Sequence, residues 1–167
     1  MIFVTVGTHE QPFNRLVEYM DKWARVHDED VLMQIGYSTY EPKSARYKRL
    51  FSYKEMKKNI EVARIVITHG GPSSFIAPLQ IGKVPIVVPR RKEYGEHVND
   101  HQFEFCTEVE KRMRNIIVIN NVDDLDNAIF NYEKLCIESN NCSVNNNLKF
   151  CNGVKMIVDE MFNLEDM

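Results

Sequence analysis

Val66-Ile67-Thr68-His69-Gly70-Gly71-Pro72-Ser73-Ser74 joins two structural patterns within a few residues. A β-branched run ends in two glycines, and a helical pattern starts directly after the proline and serines. Such a sequence turns a strand sharply into a helix. The first amides of a helix lack intrahelical acceptors, so its N-terminus is a ready seat for phosphate. His69 before the turn and the hydroxyls of Ser73 and Ser74 after it add donors around the same point. The stretch reads as a diphosphate cradle. His69 has a second reading, as a histidine satisfied within the core.

The flanking pattern repeats the theme. Upstream, Ile2 to Val6 is an apolar, β-rich run broken by Gly7-Thr8. Phe13, Leu16, Val17, Met20, Trp23 and Ala24 then recur at helical spacing, with Pro12 suited to the first turn. Val31 to Ile35 is a second strand, closed by Gly36. Tyr37 to Arg49 is irregular and basic, and no element is assigned to it. Ser52 and Glu55 are spaced as a capping box for a helix through Met56, Ile60 and Ala63. Ile65 to Thr68 is the third strand. Downstream, a helix through Phe75, Ile76, Leu79 and Gln80 ends near Gly82 despite Pro78 inside it. Val84 to Val88 is a fourth strand, and Pro89 to Asn99 a charged loop. A helix over His101–Lys111 leads to a fifth strand at Ile116 to Ile119. Asp123 and Asp124 open another helix through Leu125, Ile129 and Leu135. An Asn-rich loop, Ser139 to Asn147, precedes a last helix near Phe150 to Phe162.

Strands alternating with helices predict an α/β fold, a Rossmann-like parallel sheet with helices on both faces. The length of 167 residues suits a single domain, 1–167, with a helical tail from about 139. Ligands of such sheets sit outside the carboxyl ends of the strands. Gly7-Thr8-His9, His69 to Ser74, and Pro89 to Gln102 all fall there.

Bulk properties narrow the function. A net charge of -3 argues against a general nucleic-acid binder. The stretch Lys43 to Lys58 is basic, a solvated face or a contact with an anionic lipid surface. Cys106, Cys136, Cys142 and Cys151 form no Cys-x-x-Cys pair, so no zinc site is expected; no cofactor is assigned to the chain. No apolar run approaches the ~20 residues of a bilayer span, and Met1-Ile2-Phe3-Val4 lacks a basic leader. A cytoplasmic chain, meeting membrane through a partner or a surface contact, is the expectation.

Other loop residues have competing roles. Gly7 lets backbone approach a ligand, and Thr8 offers a hydroxyl; a ligand-free tight turn explains both equally. Arg90-Arg91-Lys92 suits phosphate or water alike. Glu96, His97, Asn99, Asp100, His101 and Gln102 are polar groups able to grip sugar hydroxyls. His97 and His101 are four apart, as in a metal pair, but no third ligand accompanies them. Asp100 also suits an N-cap.

Phe3-Val4-Thr5-Val6-Gly7-Thr8, His69-Gly70-Gly71-Pro72-Ser73-Ser74, Pro85-Ile86-Val87-Val88-Pro89 and Asp100-His101-Gln102, in that order, resemble glycosyltransferase family 28. The chain is similar to the small catalytic subunit of split bacterial exopolysaccharide and capsule glycosyltransferases. Those subunits resemble the soluble half of the two-part N-acetylglucosaminyltransferase of dolichol-linked oligosaccharide synthesis. The likeness covers about Met1 to Asn121 and fades after Leu135.

The resemblance implies the donor-binding half of a GT-B glycosyltransferase, with a UDP-sugar donor and a lipid-linked saccharide acceptor. It implies a membrane-associated partner subunit that supplies the acceptor half, placing the chain at the inner face of the membrane. Galactose is the favoured hexose, with glucose and glucuronic acid as alternatives. Gly7 and Thr8 match the loop facing the diphosphate. His69, Gly71, Ser73 and Ser74 match the phosphate-contacting turn, in which Gly70 and Pro72 also lie. Asp100 and Gln102 match the contact to the donor sugar; Arg90, Glu96 and His101 are placed beside them as substrate-binding candidates. His9 is the candidate catalytic group. The family often has a Glu on the following helix for the ribose hydroxyls; Ala77 stands there. The rivals are a non-catalytic nucleotide-sugar-binding regulatory subunit and a dinucleotide-binding domain. The latter is weakened because the first strand lacks Gly-x-Gly-x-x-Gly.

Overall fold

The computed structural model describes residues 1–139. Six parallel strands form one sheet: β1 (Ile2–Thr5), β2 (Val31–Gln34), β3 (Arg46–Lys48), β4 (Ile65–His69), β5 (Ile86–Val88) and β6 (Ile117–Val118). Their order is β3-β2-β1-β4-β5-β6. The order reverses between β1 and β4, which pair in register from Ile2 with Ile65 to Thr5 with Thr68. Chain leaves both strands at the same edge and in opposite directions, opening the crevice where such sheets bind ligands.

Helices α1 (Asn14–Val26), α2 (Tyr53–Val62), α3 (Pro72–Gln80), α4 (His101–Met113), α5 (Leu125–Phe130) and α6 (Tyr132–Glu138) connect or follow the strands. Alternating strand residues sort them onto the two faces. Ile2 and Val4 pack with Leu16, Val17 and Met20 of α1 and Leu125 and Ile129 of α5. Phe3 and Val66 point the other way, onto Ile60 of α2, while Val87 meets Phe75 of α3 and Cys106 of α4. Burying one such side chain contributes about 1.5–3 kcal/mol, so the central strands β1, β4 and β5 are held from both sides.

The capping box is present: Glu55 N–H donates to Ser52 Oγ, and Ser52 N–H to the Glu55 carboxylate. The predicted α3 also forms with Pro78 inside it. Pro12 does not open α1; Phe13 holds the N-cap and the helix starts at Asn14. The single helix expected after Asp124 is two, α5 and α6, meeting at Asn131.

The sixth strand was not expected. β3 is an edge strand whose residues are all exposed, so no apolar alternation marks it. The buried carboxylate of Asp21 on α1 sets its approach. It accepts the N–H groups of Lys43, Ser44 and Ala45 at 2.7–3.0 Å and the Tyr40 hydroxyl at 2.9 Å. Burial opposes the charge, but these donors outweigh it and hold the Asp21 pKa below the usual carboxylate value. Much of the basic stretch is neutralised locally, Arg46 by Asp30, Lys48 by Glu55 and Arg49 by Glu41. The helix expected near 150–162 lies outside the described residues.

Candidate functional site

A cleft of about 710 Å³ opens at the reversal point of the sheet, within the ~300–1,000 Å³ of typical small-molecule sites. One wall is loop: Gly7, Thr8 and His9 after β1, and His69 with Ser73 and Ser74 after β4. The others are facing helical stripes. Tyr53, Met56, Lys57, Ile60 and Glu61 come from α2; Ser73, Ser74, Ala77, Gln80 and Ile81 come from α3 and its C-cap. Both sets follow the i, i+3, i+4, i+7 period of one helix face. Thr5, Gln34 and Phe51 close the floor. Lys83 braces the far end, its Nζ donating to the carbonyls of Ile60, Glu61 and Ala63 at 2.5–2.8 Å.

His69 organises the polar wall. Its Nδ1 accepts the Gly71 N–H at 3.0 Å, and its Nε2 lies 2.9 Å from Ser74 Oγ. The ring fills space that only glycines leave open. A Cβ on Gly7 would fall 2.3 Å from Nε2, and one on Gly71 2.2 Å from Cε1. Gly7 also has φ +76°, where a side chain is strained. These glycines therefore admit an imidazole, whereas the sequence suggested room for a ligand. Burial pushes the His69 pKa down to about 4, with the Arg90 cation acting in the same direction.

The cradle has fewer free amides than its sequence suggests. The Gly71 N–H goes to His69, the Ser74 N–H to Gly71 O at 2.9 Å, and Pro72 has none. Among the described residues, Ser73 N–H has no protein acceptor, and the two serine hydroxyls stand beside it.

The loop after β5 is built differently. Arg90 is 1% exposed and Glu96 3%. The Arg90 guanidinium donates to Val6 O, Gln11 O, Pro12 O and Glu96 O at 2.8–3.2 Å. Glu96 takes the Arg15 fork at 2.9 Å and the Arg91 N–H at 3.1 Å. Neither faces phosphate, sugar or water; together they tie this loop to the one after β1. Asp100 sits at the N-cap of α4 but makes no cap bond, and instead accepts from Lys92 N–H at 3.0 Å. Gln102 lies behind the turn, its Oε1 accepting Arg90 N–H at 3.3 Å and its Cβ closing on Gly70. His101 is exposed. None of Arg90, Glu96, Asp100, His101 or Gln102 borders the cleft.

His9 borders it, exposed, with its ring 5.1 Å from that of His97. Its Nδ1 accepts the Gln11 N–H at 3.2 Å. A neutral His9 in this pose carries its proton on Nε2 and offers a donor. Of the α2 residues that line the cleft, Met56 and Ile60 carry only a helix pattern in the sequence, and Tyr53 and Glu61 carry no functional signal there.

The fold is a Rossmann-like α/β domain with a cleft at the sheet's reversal point, the architecture of GT-B glycosyltransferase halves. The crystal structure of the glycotransferase of kitacinnamycin shares this fold, at TM-score 0.54 and 16% identity, over 78% of this chain and 34% of that one. Residues 1–135 match the glycosyltransferase family 28 C-terminal domain, and the chain belongs to that family. It is also similar to the mouse (Mus musculus) UDP-N-acetylglucosamine transferase subunit ALG13, 32% identical over 121 residues. That match covers 65% of this chain and 10% of the mouse protein, so the chain corresponds to about a tenth of its relative. No helix among the described residues is long and apolar enough to cross a membrane.

Proposed function

We propose that this chain binds the UDP-sugar donor of an inverting glycosyltransferase and works with a membrane-associated partner subunit. The reaction moves a hexose, galactose before glucose or glucuronic acid, to a lipid-linked saccharide in exopolysaccharide or capsule synthesis. One observation carries the reading: the cleft at the β1–β4 reversal combines the Ser73 and Ser74 hydroxyls at a helix N-terminus with an apolar trough beside them. Ser73, Ser74 and Thr8 hold the diphosphate. Phe51, Met56 and Ile60 seat the uracil, and Asp100 with Gln102 is the contact to the donor sugar that the family resemblance implies, although neither borders the cleft. The likeness to a subunit named as a UDP-N-acetylglucosamine transferase component supports a nucleotide-sugar donor and a second subunit.

Bond breaking places charge on the departing diphosphate, so donors fixed at that point lower the barrier. His9 acts there as an Nε2 donor, and the base for the acceptor hydroxyl comes from the partner. Closure of the partner over the cleft excludes water that would hydrolyse the donor. The chain, the cleft and its hydroxyls also suit a regulatory subunit that binds nucleotide-sugar without transferring it; the absent Glu at position 77 favours that reading.

UDP-sugars are titrated with the chain alone and with its partner, and transfer is measured for wild type, Ser74→Ala and Gln102→Ala. UDP-sugar binding, transfer only with the partner, loss in both variants and an inverted anomeric centre are expected. Wild-type rates in both variants assign the donor site elsewhere, and robust transfer by the isolated chain removes the need for a partner.

A further inference from the structure

We propose that His69 is a positioning residue that holds one tautomer, with its proton on Nε2, and so turns the Ser74 hydroxyl hydrogen into the cleft. Ser74 then becomes a committed donor, matched to an acceptor-only group such as a phosphate oxygen. The identity of that anion rests on the donor-site reading; the tautomer does not.

The argument begins with Gly71 N–H, which can only donate. It meets His69 Nδ1 at 3.0 Å, so that nitrogen presents its lone pair. The competing partner, Gln102 Oε1, is 3.5 Å from Nδ1 and is already engaged by Arg90 N–H at 3.3 Å. At 3.5 Å a hydrogen bond is at its weak limit. A neutral imidazole has one ring proton, which must then sit on Nε2, 2.9 Å from Ser74 Oγ. Ser74 Oγ accepts from the ring, and its own hydrogen points away from the ring. Ser74 borders the cleft, so that direction is open to a ligand.

The ring has little freedom to do otherwise. It is 8% exposed and lies against the Cα faces of Gly7 and Gly71. An imidazolium would set an Nδ1–H against the Gly71 N–H, donor to donor. Burial and the Arg90 cation also disfavour that charge. His69 thus acts on a phosphate through Ser74, without touching it and without supplying charge.

Long-range proton–nitrogen spectra of the nitrogen-15-labelled full chain test the tautomer directly. At about pH 7, well above the lowered His69 range, Nε2 should carry the protonated shift and Nδ1 the unprotonated one. Ser74→Ala should move the Nε2 resonance. An Nδ1-protonated ring, an imidazolium, or an Nε2 resonance indifferent to Ser74→Ala overturns the proposal.

UDP titrations supply the second arm, with circular dichroism checking each fold. Ser74→Ala and His69→Ala should each weaken UDP about tenfold, and the double variant no more than either alone. His69→Gln, whose amide can donate to Ser74 Oγ, should restore most of the loss. Fully additive losses, or His69→Gln no better than His69→Ala, overturn it. Should His69→Ala fail to fold, the Ser74→Ala spectrum still decides. Wild-type chain that binds no UDP removes the donor-site reading and leaves the tautomer to the spectra.

Discussion

The loop after β4 and the loop after β5 look alike in sequence and behave oppositely in the structure. Both leave the same edge of the sheet, and both are dense in groups suited to anions and sugars. After β4, Ser73 and Ser74 keep their hydroxyls on the cleft. After β5, Arg90 and Glu96 are consumed by Val6, Gln11, Pro12, Arg15 and Arg91. A polar residue at a strand's carboxyl end is available to a ligand only if the fold has not already satisfied it. Buried charges demand such satisfaction, so the most strongly charged loop became the brace and the weakly polar one kept its hydroxyls on the candidate cleft.

The largest effect should come from breaking the brace. Arg90→Met strands four carbonyls that its guanidinium now serves. Urea melts should show a loss of about 3–5 kcal/mol. Ser74→Ala, which removes the acceptor of the His69 Nε2–H, should cost only about 1 kcal/mol while weakening UDP. If the two variants trade these phenotypes, the distinction between brace and site collapses.

Gly71→Ala attacks the site loop from inside. Gly71 has φ -76° and ψ 127°, which alanine tolerates, so only the clash with the His69 ring acts. The ring must shift and release Ser74. About 2 kcal/mol of stability and at least a tenfold loss of UDP affinity are expected, from melts and calorimetry on one sample. A near-neutral result would mean that the ring's seat is not confined.

Asp21 braces a third irregular stretch, Tyr37 to Ala45, and its pKa gives a pH test. The folded pKa is lowered, so its contribution is complete above the unfolded value of ~3.9 and is lost as pH falls through the folded pKa. Asp21→Asn keeps the size but takes the charge from three amides, and should cost about 1–3 kcal/mol at neutral pH. The cost should shrink below about pH 4, as wild type loses the same charge. Denaturant midpoints between about pH 3 and 7 check both halves of that statement.

These braces also explain what could be read in advance. Five strands were legible because their residues are buried on both faces and form continuous apolar runs. β3 was not, because an exposed Arg-Tyr-Lys strand is specified by Asp21, some twenty residues earlier, and by pairing with β2. The glycine turn was legible as a special backbone. Its meaning was not: Gly71 makes room for the imidazole two residues before it, and Gly7 for the same ring arriving from β4, a contact with no local signature. The α2 wall of the cleft was hidden for a similar reason, since Met56 and Ile60 fit a core stripe until the opposing α3 face is known.

The smallest effect concerns the face of α3 shared by Ser73, Ser74, Ala77 and Gln80. The family resemblance implies, in many members, a Glu where this chain has Ala77, and Ala77 does line the cleft. Ala77→Glu therefore adds a carboxylate one turn beyond Ser73, aimed between α2 and α3. A ribose diol reached by that carboxylate would gain one charge-assisted hydrogen bond, worth about 1.4 kcal/mol or a tenfold tighter UDP. Inorganic pyrophosphate, which has no ribose, should bind as before. Lys57 on the opposite wall limits the repulsion from Glu61. Tighter UDP with unchanged pyrophosphate puts the ribose beside α3 and the diphosphate at the open loop. Weakening of both would place the diphosphate itself against Ala77 and shift the site away from Ser74.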